Sequence, residues 1–280
     1  MKTLLVINRT SGNGGKIDAD IIKNTYSKHD QVSVVEIARK EDGWDAAEYE
    51  KIIVCGGDGT LMRAVNKVSP EQKLLYVPCG TFNESAKNNG KKKGKIRRLS
   101  LIGFANDTRF TYVCAAGSFT PIGYDVKEKD KKAFKILAYL FTVFKHYRAY
   151  RIPASISVDS KSESGEYTLI MMIHSKRCFG FRFNKMFDVN NPSLFMLSIK
   201  SPKNKGVLGA IEMFFPFFRA FFIGFRKEHH GKKIDFMPVE NPVVELGEKT
   251  DFCVDGEKVE FEGKVAFGQR KLNGNIYICR

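Results

Sequence analysis

Short apolar runs, each closed by polar turn residues, alternate with amphipathic stretches through the first ninety residues. Thr3–Asn8 is the first run, and Asn8-Arg9-Thr10-Ser11-Gly12-Asn13-Gly14-Gly15 stops it. Ile17–Lys28 then carries Ile21, Ile22 and Tyr26 at helical spacing, and Val32–Ile37 reads as a second strand. A short helix is expected over Asp45–Tyr49. Lys51–Cys55 reads as a buried strand ended by Gly56-Gly57-Asp58-Gly59. Thr60–Val68 follows as a helix with Leu61, Ala64, Val65 and Val68 on one face, closed by Ser69-Pro70. Leu74–Val77 gives another strand and Phe82–Asn88 another helix. Repeated strand–helix units with short links predict a parallel sheet flanked by helices. In such sheets ligands sit beyond the carboxyl ends of the strands, where all these glycine turns fall.

The run Gly90–Arg98 (GKKKGKIRR) marks a boundary, and the pattern changes after it. Arg109–Ala115, Ala154–Val158, Tyr167–His174, Leu194–Ile199, Lys233–Met237, Pro242–Leu246, Asp251–Val254 and Val265–Gln269 read as short strands separated by turns. Helices are expected over Lys131–Arg148 and Leu208–Phe225. Many short strands predict a mainly antiparallel β-sandwich. The expected organisation is an α/β domain over residues 1–98 and a β-sandwich domain over 99–280, whose last strand could return to the first domain.

Composition sharpens this division. The 280 residues carry 46 Lys+Arg against 31 Asp+Glu, a net charge of +15. Residues 1–89 hold 12 of each sign, so the whole excess lies beyond them. A neutral front and a cationic back point to an anionic partner for the second part: a membrane surface, a phosphorylated substrate or nucleic acid. No nucleic-acid-binding signature accompanies the charge, which leaves that class resting on charge alone. Thr3–Asn8 is too short for a signal-peptide apolar region. The most apolar stretch, Gly206–Phe225, is broken by Glu212, Pro216 and Arg219, so no membrane-spanning segment is expected. The six cysteines are scattered without a Cys-x-x-Cys pair, which predicts buried thiols in a reducing, cytoplasmic setting.

The strongest chemical signal is the Gly56-Gly57-Asp58-Gly59-Thr60 turn between a strand and a helix. Glycines let the backbone approach a ligand closely, and the helix start presents N–H groups to an anion. Asp58 beside a phosphate calls for a bridging cation, which suggests a magnesium–nucleotide site; an ordinary tight turn is the bland alternative. Two companions add weight: Asn8–Lys16 after the first strand, and Pro78-Cys79-Gly80-Thr81-Phe82-Asn83-Glu84 after the last of the series. Neither G-x-x-x-x-G-K-[S/T] nor a G-x-G-x-x-G after any strand is present.

These motifs resemble the diacylglycerol kinase catalytic-domain family, which includes bacterial soluble lipid kinases and sphingosine kinases. Val54–Leu61 and Pro78–Lys87 carry the likeness, with Asn8…Ser11-Gly12 similar to the family's first loop. Phe252-Cys253-Val254-Asp255-Gly256-Glu257 is similar to its late Asp-Gly-Glu motif, and Lys135–Tyr150 to its amphipathic helix. The resemblance implies a nucleotide-binding α/β domain of the NAD kinase/diacylglycerol kinase type followed by a β-sandwich. ATP and magnesium would lie in the cleft between them, and a lipid hydroxyl would be phosphorylated. By resemblance, Asn8, Ser11, Gly12, Gly56, Gly57, Gly59, Thr60, Gly80, Thr81, Asn83 and Glu84 would hold the nucleotide. Asp58 and Glu84 would stand near magnesium. Asp255 would act as general base with Glu257 beside it, Asp58 being the rival base. Asp255-Gly256 also has the composition of a plain hairpin turn.

The chain departs from the family pattern at several points. Glu84 stands for an aspartate, Ser100 for an acidic residue after the linker, Asn190-Asn191-Pro192-Ser193-Leu194 for an Asp-Gly-x-Leu motif, and Arg9 for a proline. These changes bear on the metal shell and leave a catalytically impaired, lipid-binding member as an alternative. An NAD kinase-like enzyme is another, since it too has Gly-Gly-Asp-Gly and an Asn-Glu pair. Phe214, Phe218, Phe221, Phe222 and Phe225 fall near one helical face, with Arg219, Arg226, Lys227, His229, His230, Lys232 and Lys233 beside or after it. They read equally as core or as an apolar wedge for an anionic membrane surface, which would put the protein at the inner face of the membrane. The same choice holds for Phe134, Leu137, Phe141 and Phe144. An exposed sandwich edge would allow a homodimer.

Overall fold

A computed structural model describes the chain except residues 40–41, 89–95, 119, 121–149, 179, 272–275 and 280. The helix expected over Lys131–Arg148, with Phe134, Leu137, Phe141 and Phe144, and most of the basic run from Gly90 lie outside the described residues. The chain divides into two compact units: Met1–Ile102 with Lys271–Arg280, and Gly103–Arg270.

The first unit is built on a six-stranded sheet. Its strands are β1 (Lys2–Asn8), β2 (Gln31–Ile37), β3 (Lys51–Gly56), β4 (Lys73–Pro78), β5 (Ile96–Arg98) and β18 (Ile276–Cys279), in the order β2-β1-β3-β4-β18-β5. The pairs β1–β2, β1–β3, β3–β4 and β4–β18 are parallel, and β5 alone runs against its neighbour β18. Leu4–Ile7 and Ile52–Cys55 are buried throughout, because this sheet has apolar packing on both faces. Leu4, Val6, Ile52, Val54 and Tyr76 meet Leu61 and Val65 on one side. Leu5, Ile7, Ile53 and Cys55 meet Ile22 on the other. Helix α1 (Ala19–Tyr26) is started by Asp18, whose carboxylate accepts the Asp20 and Ile21 N–H groups. Helix α2 (Asp58–Lys67) begins two residues before the position expected, and α3 covers Glu84–Asn88.

The helix expected over Asp45–Tyr49 is a turn. Gln72 Nε2 donates to the Ala46 and Tyr49 carbonyls at 2.6 and 2.8 Å, so side-chain bonding takes the place of helical bonding there.

The second unit holds β6 (Leu101–Ala105), β7 (Thr108–Phe110), β8 (Val113–Gly117), β9 (Ile152–Val158), β10 (Lys161–Ile173), β11 (Leu194–Lys200), β12 (His229–His230), β13 (Ile234–Val239), β14 (Val243–Leu246), β15 (Thr250–Val254), β16 (Glu257–Phe261) and β17 (Lys264–Lys271). Every pairing described here is antiparallel. The 13-residue β10 is where the sheet forks. Its first half pairs with β9, its second half with β8, and a register shift between Tyr167 and Leu169 separates the two. One arm continues through β14 and β17, the other through β15 and β16.

The single strand expected over Arg109–Ala115 is broken at Thr111 and Tyr112, for a reason that belongs to the site described below. The helix expected near Leu208–Phe225 is α4 (Gly206–Phe218), continued by a wider π-type turn over Arg219–Ile223 and stopped by Gly224 at φ +69°. Pro216 has no N–H to give its turn of α4, and the widened turn follows it. By length and composition this 18-residue segment is long and apolar enough to cross a membrane, against the expectation. One face of it is nevertheless packed: Met213, Phe217, Ala220 and Phe221 join Leu169, Met171, Leu197, Ile199 and Phe236 of the sheet in one core. All six cysteines are buried and none forms a disulfide.

Candidate functional site

The three glycine turns meet at the carboxyl edge of β1, β3 and β4, and they fit only because side chains are missing. A Cβ on Gly80 would lie 2.4 Å from the Gly57 Cα. A Cβ on Gly12, itself at φ +27°, would lie 2.7 Å from the Gly80 carbonyl carbon and 2.9 Å from the Thr81 nitrogen. At Gly56 the missing side chain makes room for Thr60, 2.5 Å from where a Cβ would stand. Hydrogen bonds lock the same turns. Asn13 N–H donates to the Cys79 carbonyl at 2.7 Å, and Cys79 and Gly80 N–H donate to the Gly56 carbonyl at 2.8 and 3.1 Å. Asn8 Nδ2 donates to Thr60 Oγ1 at 2.8 Å, while Asn8 Oδ1 accepts from Thr10 N–H and hydroxyl. Ser11 Oγ donates to the Asn8 carbonyl at 3.0 Å.

Asn83 sits at φ +48° and donates to the Gly80 carbonyl at 2.8 Å. Tyr76 hydroxyl reaches the Gly56 carbonyl at 3.2 Å and Asn83 Oδ1 at 3.4 Å. The sequence reading missed Tyr76, since a tyrosine inside an apolar strand looks like core; its hydroxyl ties two of the turns together.

Two features of this edge suit a bound anion. Helix α2 starts at Gly57 with no side-chain cap, whereas the starts of α1 and α3 are capped by Asp18 and Asp58. The first-turn N–H groups of a helix have no intrahelical partner, so α2 presents them toward the glycine turns, where an anion would be favoured. The Thr81 hydroxyl is buried and has no hydrogen-bond partner among the described residues. A buried hydroxyl left unmatched is costly, and a bound acceptor would relieve it.

Asp58 does not face that edge freely. Its Oδ2 accepts the Glu84 N–H and its Oδ1 the Ser85 N–H, both at 2.9 Å, which makes it the cap of α3. Burial pushes its carboxyl above the usual range, against the pull of the Ser85 and Glu84 N–H groups. Glu84 is buried as well. Among the described residues no three His, Cys, Asp or Glu side chains converge on a point that could hold a metal ion. Each Asp58 oxygen spends one acceptor position on the start of α3.

Asp255 is equally committed. It lies at φ +50° and Gly256 at φ +96°, the first and second positions of a two-residue hairpin between β15 and β16. Its side chain is fully buried and reaches the bend before β8. Oδ2 accepts the Thr111 N–H and, at 2.7 Å, the Thr111 hydroxyl. Oδ1 accepts the Tyr112 and Val113 N–H groups at 3.0 Å each. A carboxylate has about four acceptor positions, and all are used. This is what breaks the strand expected over Arg109–Ala115: the N–H groups of its middle turn to a carboxylate instead of a neighbouring strand. Desolvation pushes the Asp255 carboxyl up to about 7, against the pull of those donors. His174, buried and held to about 4 by desolvation, hydrogen-bonds the Thr111 backbone from the other side. Neither Thr111 nor His174 carried a sequence signal. Glu257, expected beside Asp255, opens β16 and is half-buried. Ser100 lies between β5 and β6, and Asn190 donates its N–H to Asp188 Oδ1 at 2.9 Å.

The chain thus joins a parallel α/β unit with interlocked glycine turns on one edge to an antiparallel sheet unit. The profile of the diacylglycerol kinase catalytic domain matches residues 2–111. A diacylglycerol kinase of Bacillus subtilis is 26% identical over 226 residues, covering 75% of this chain and 72% of that protein. Among solved structures, a diacylglycerol kinase from Bacillus anthracis superposes with a TM-score of 0.62 at 17% identity, covering 99% of this chain and 96% of that one. An NAD kinase from Archaeoglobus fulgidus in complex with ATP superposes with a TM-score of 0.55 at 14% identity, covering 100% and 94%. The resemblance carried by the motifs thus holds: residues 2–111 are similar to the diacylglycerol kinase catalytic domain, and the fold is similar to those of diacylglycerol and NAD kinases.

Proposed function

We propose that the protein is an ATP-dependent lipid kinase that moves the γ-phosphoryl group to a lipid hydroxyl. The observation that carries this reading is the edge where three glycine turns interlock below the uncapped start of α2 and the unpartnered Thr81 hydroxyl. In this reading Gly57, Gly59 and Thr60 bring backbone N–H groups to the phosphates, and Thr81 donates its hydroxyl. Asn8, Ser11, Gly12, Gly56, Gly80 and Asn83 hold the turns in register. Phosphoryl transfer needs positioning and charge neutralisation above all, and rigid backbone supplies the first. Asp58 serves as a positioning residue through α3, with Glu84 at that helix start. Magnesium is hard, keeps several waters and is carried largely by nucleotide phosphates, so it enters here with ATP.

In the transfer, the lipid oxygen bonds to the γ-phosphorus, the bond to the bridging β–γ oxygen breaks, ADP leaves, and the lipid hydroxyl gives up its proton. Asp255 is our candidate to receive it. A carboxyl near 7 is tuned for general base work near neutral pH. Three of its four donors are backbone N–H groups, so the Thr111 hydroxyl is the one a lipid hydroxyl would displace. Glu257 contributes negative charge two residues on. The work falls on the cytoplasmic side of a membrane, where ATP and the lipid are both present.

Two other readings rest on specific observations. The filled acceptor positions of Asp255 favour a catalytically impaired, lipid-binding member. The Asn83-Glu84 pair and the fold shared with an NAD kinase favour a small-molecule kinase. Terminally labelled ATP, incubated in separate arms with diacylglycerol micelles, other lipid alcohols and NAD, tests all three. Label in a lipid supports the proposal, label in NAD replaces it, and label in neither with lipid still bound favours the impaired member.

A further inference from the structure

The phenylalanines of the α4 segment divide between the two roles the sequence left open. Phe217, Phe221 and Phe225 are buried in the core, with Phe217 and Phe221 stacked at 6.1 Å. Phe214, Phe218 and Phe222 form a second stacked row on the outer face, with ring centroids 5.8 and 5.2 Å apart. Around that row Val207, Leu208, Ile211 and Phe215 are 77, 65, 60 and 72% exposed, and Ile223 is exposed as well. Positions 207, 211, 214, 215, 218 and 222 follow helical spacing, so this is one continuous apolar stripe. Soluble surfaces rarely leave such a patch uncovered.

The surroundings say what covers it. Residues 201–233 hold seven Lys or Arg and two Glu, and one of the two, Glu212, is bound to Lys233. A second copy of the chain docking on the same face would bring these like charges together, which self-association disfavours. An anionic bilayer matches both parts: acyl chains for the stripe, headgroups for its cationic border. The segment cannot cross that bilayer while Met213, Phe217, Ala220 and Phe221 are fixed in the sheet's core. It would lie in the plane of the interface. Glu212 anchors its start, accepting the Lys203 and Asn204 N–H groups, and Lys185 donates to the Ile223 carbonyl at its end.

We infer that the outer face of Gly206–Ile223 is a docking wedge that seats the second unit in the surface of an anionic membrane. The inference takes its purpose from the lipid-kinase reading, but its test does not need catalysis. The full-length protein is sedimented with vesicles of phosphatidylcholine alone or with added phosphatidylglycerol, beside the double variant Val207→Ser/Phe215→Ser. Both side chains are solvent-exposed, so folding is spared. Binding is expected to need phosphatidylglycerol and to weaken at least tenfold in the double variant, the scale set by two exposed apolar side chains. Phe215→Trp adds a reporter, since Trp44 belongs to the first unit; its emission should shift to the blue on adding the anionic vesicles. Equal vesicle binding by wild type and double variant overturns the wedge and leaves the kinase reading standing. A wild-type dimer that the double variant converts to monomer, with vesicle binding unchanged, also overturns it in favour of a second copy. Vesicle binding that depends on Val207 and Phe215, together with no phosphoryl transfer to any lipid, supports the wedge and overturns the kinase reading instead.

Discussion

Replacing Asp255 by Asn separates a structural carboxylate from a catalytic one. In the wild type, two donors face each carboxylate oxygen: the Thr111 N–H and hydroxyl on Oδ2, the Tyr112 and Val113 N–H groups on Oδ1. The amide of Asn can replace one oxygen. Its NH2 must then face the other donor pair, leaving two buried donors without an acceptor. At ~1–3 kcal/mol for each unsatisfied group, the variant should lose about 2–6 kcal/mol, a large share of a typical domain's ~5–15 kcal/mol. Urea unfolding followed by near-ultraviolet circular dichroism measures this. The pH dependence adds a sign. With the folded carboxyl at about 7 and the unfolded value at 3.8, the folded state holds the extra proton between those limits. Stability should therefore be greatest below about pH 4 with respect to this group and fall as pH rises toward 7, and Asp255→Asn should abolish that slope. A variant that unfolds like wild type while phosphoryl transfer is abolished would refute the structural account and make Asp255 a catalytic base alone.

Other substitutions probe the glycine turns and the α4 anchor. Thr81→Val removes a hydroxyl that has no partner among the described residues, so thermal stability should hold or rise slightly while ATP affinity, read by calorimetry, falls about fivefold, equivalent to one ~1 kcal/mol hydrogen bond. Gly80→Ala forces a Cβ to 2.4 Å from the Gly57 Cα; overpacking of this kind costs about 1–3 kcal/mol, and ATP binding should be lost with it. Asp58→Ala removes the cap of α3 and should cost about 1–2 kcal/mol by chemical denaturation. Lys233 holds the Glu212 carboxyl down at about 2, so its contribution to stability should be present above about pH 4.5 and fade as pH falls toward 2. Acid titration of Glu212→Gln should lack that loss.

The parallel sheet was legible because β1, β3 and β4 are buried on both faces, which leaves uninterrupted apolar runs between glycine turns. Three of the strands that escaped notice lack that signal. β5 is Ile-Arg-Arg beside a Lys run, β16 alternates charge with partly buried positions, and β18 is four residues long. The interlocking of the turns was legible as composition but not as geometry: no spacing tells that Gly80 must lie on Gly57. Asp255 shows a deeper limit. Asp-Gly marks a hairpin, yet the carboxylate's work is done on Thr111, Tyr112 and Val113, more than 140 positions earlier. Helical spacing likewise put Phe214, Phe218, Phe221, Phe222 and Phe225 on one face of α4, whereas packing divides them: Phe221 and Phe225 are buried, and Phe214, Phe218 and Phe222 are exposed.

One measurement tests the lipid-kinase reading most directly: where the terminal phosphate of labelled ATP goes when the 280-residue chain meets diacylglycerol in mixed micelles. The label is expected in the lipid phase, and Gly80→Ala should prevent it. Label recovered in phosphorylated NAD, or none transferred to any lipid alcohol while ATP still binds, would contradict the lipid-kinase reading.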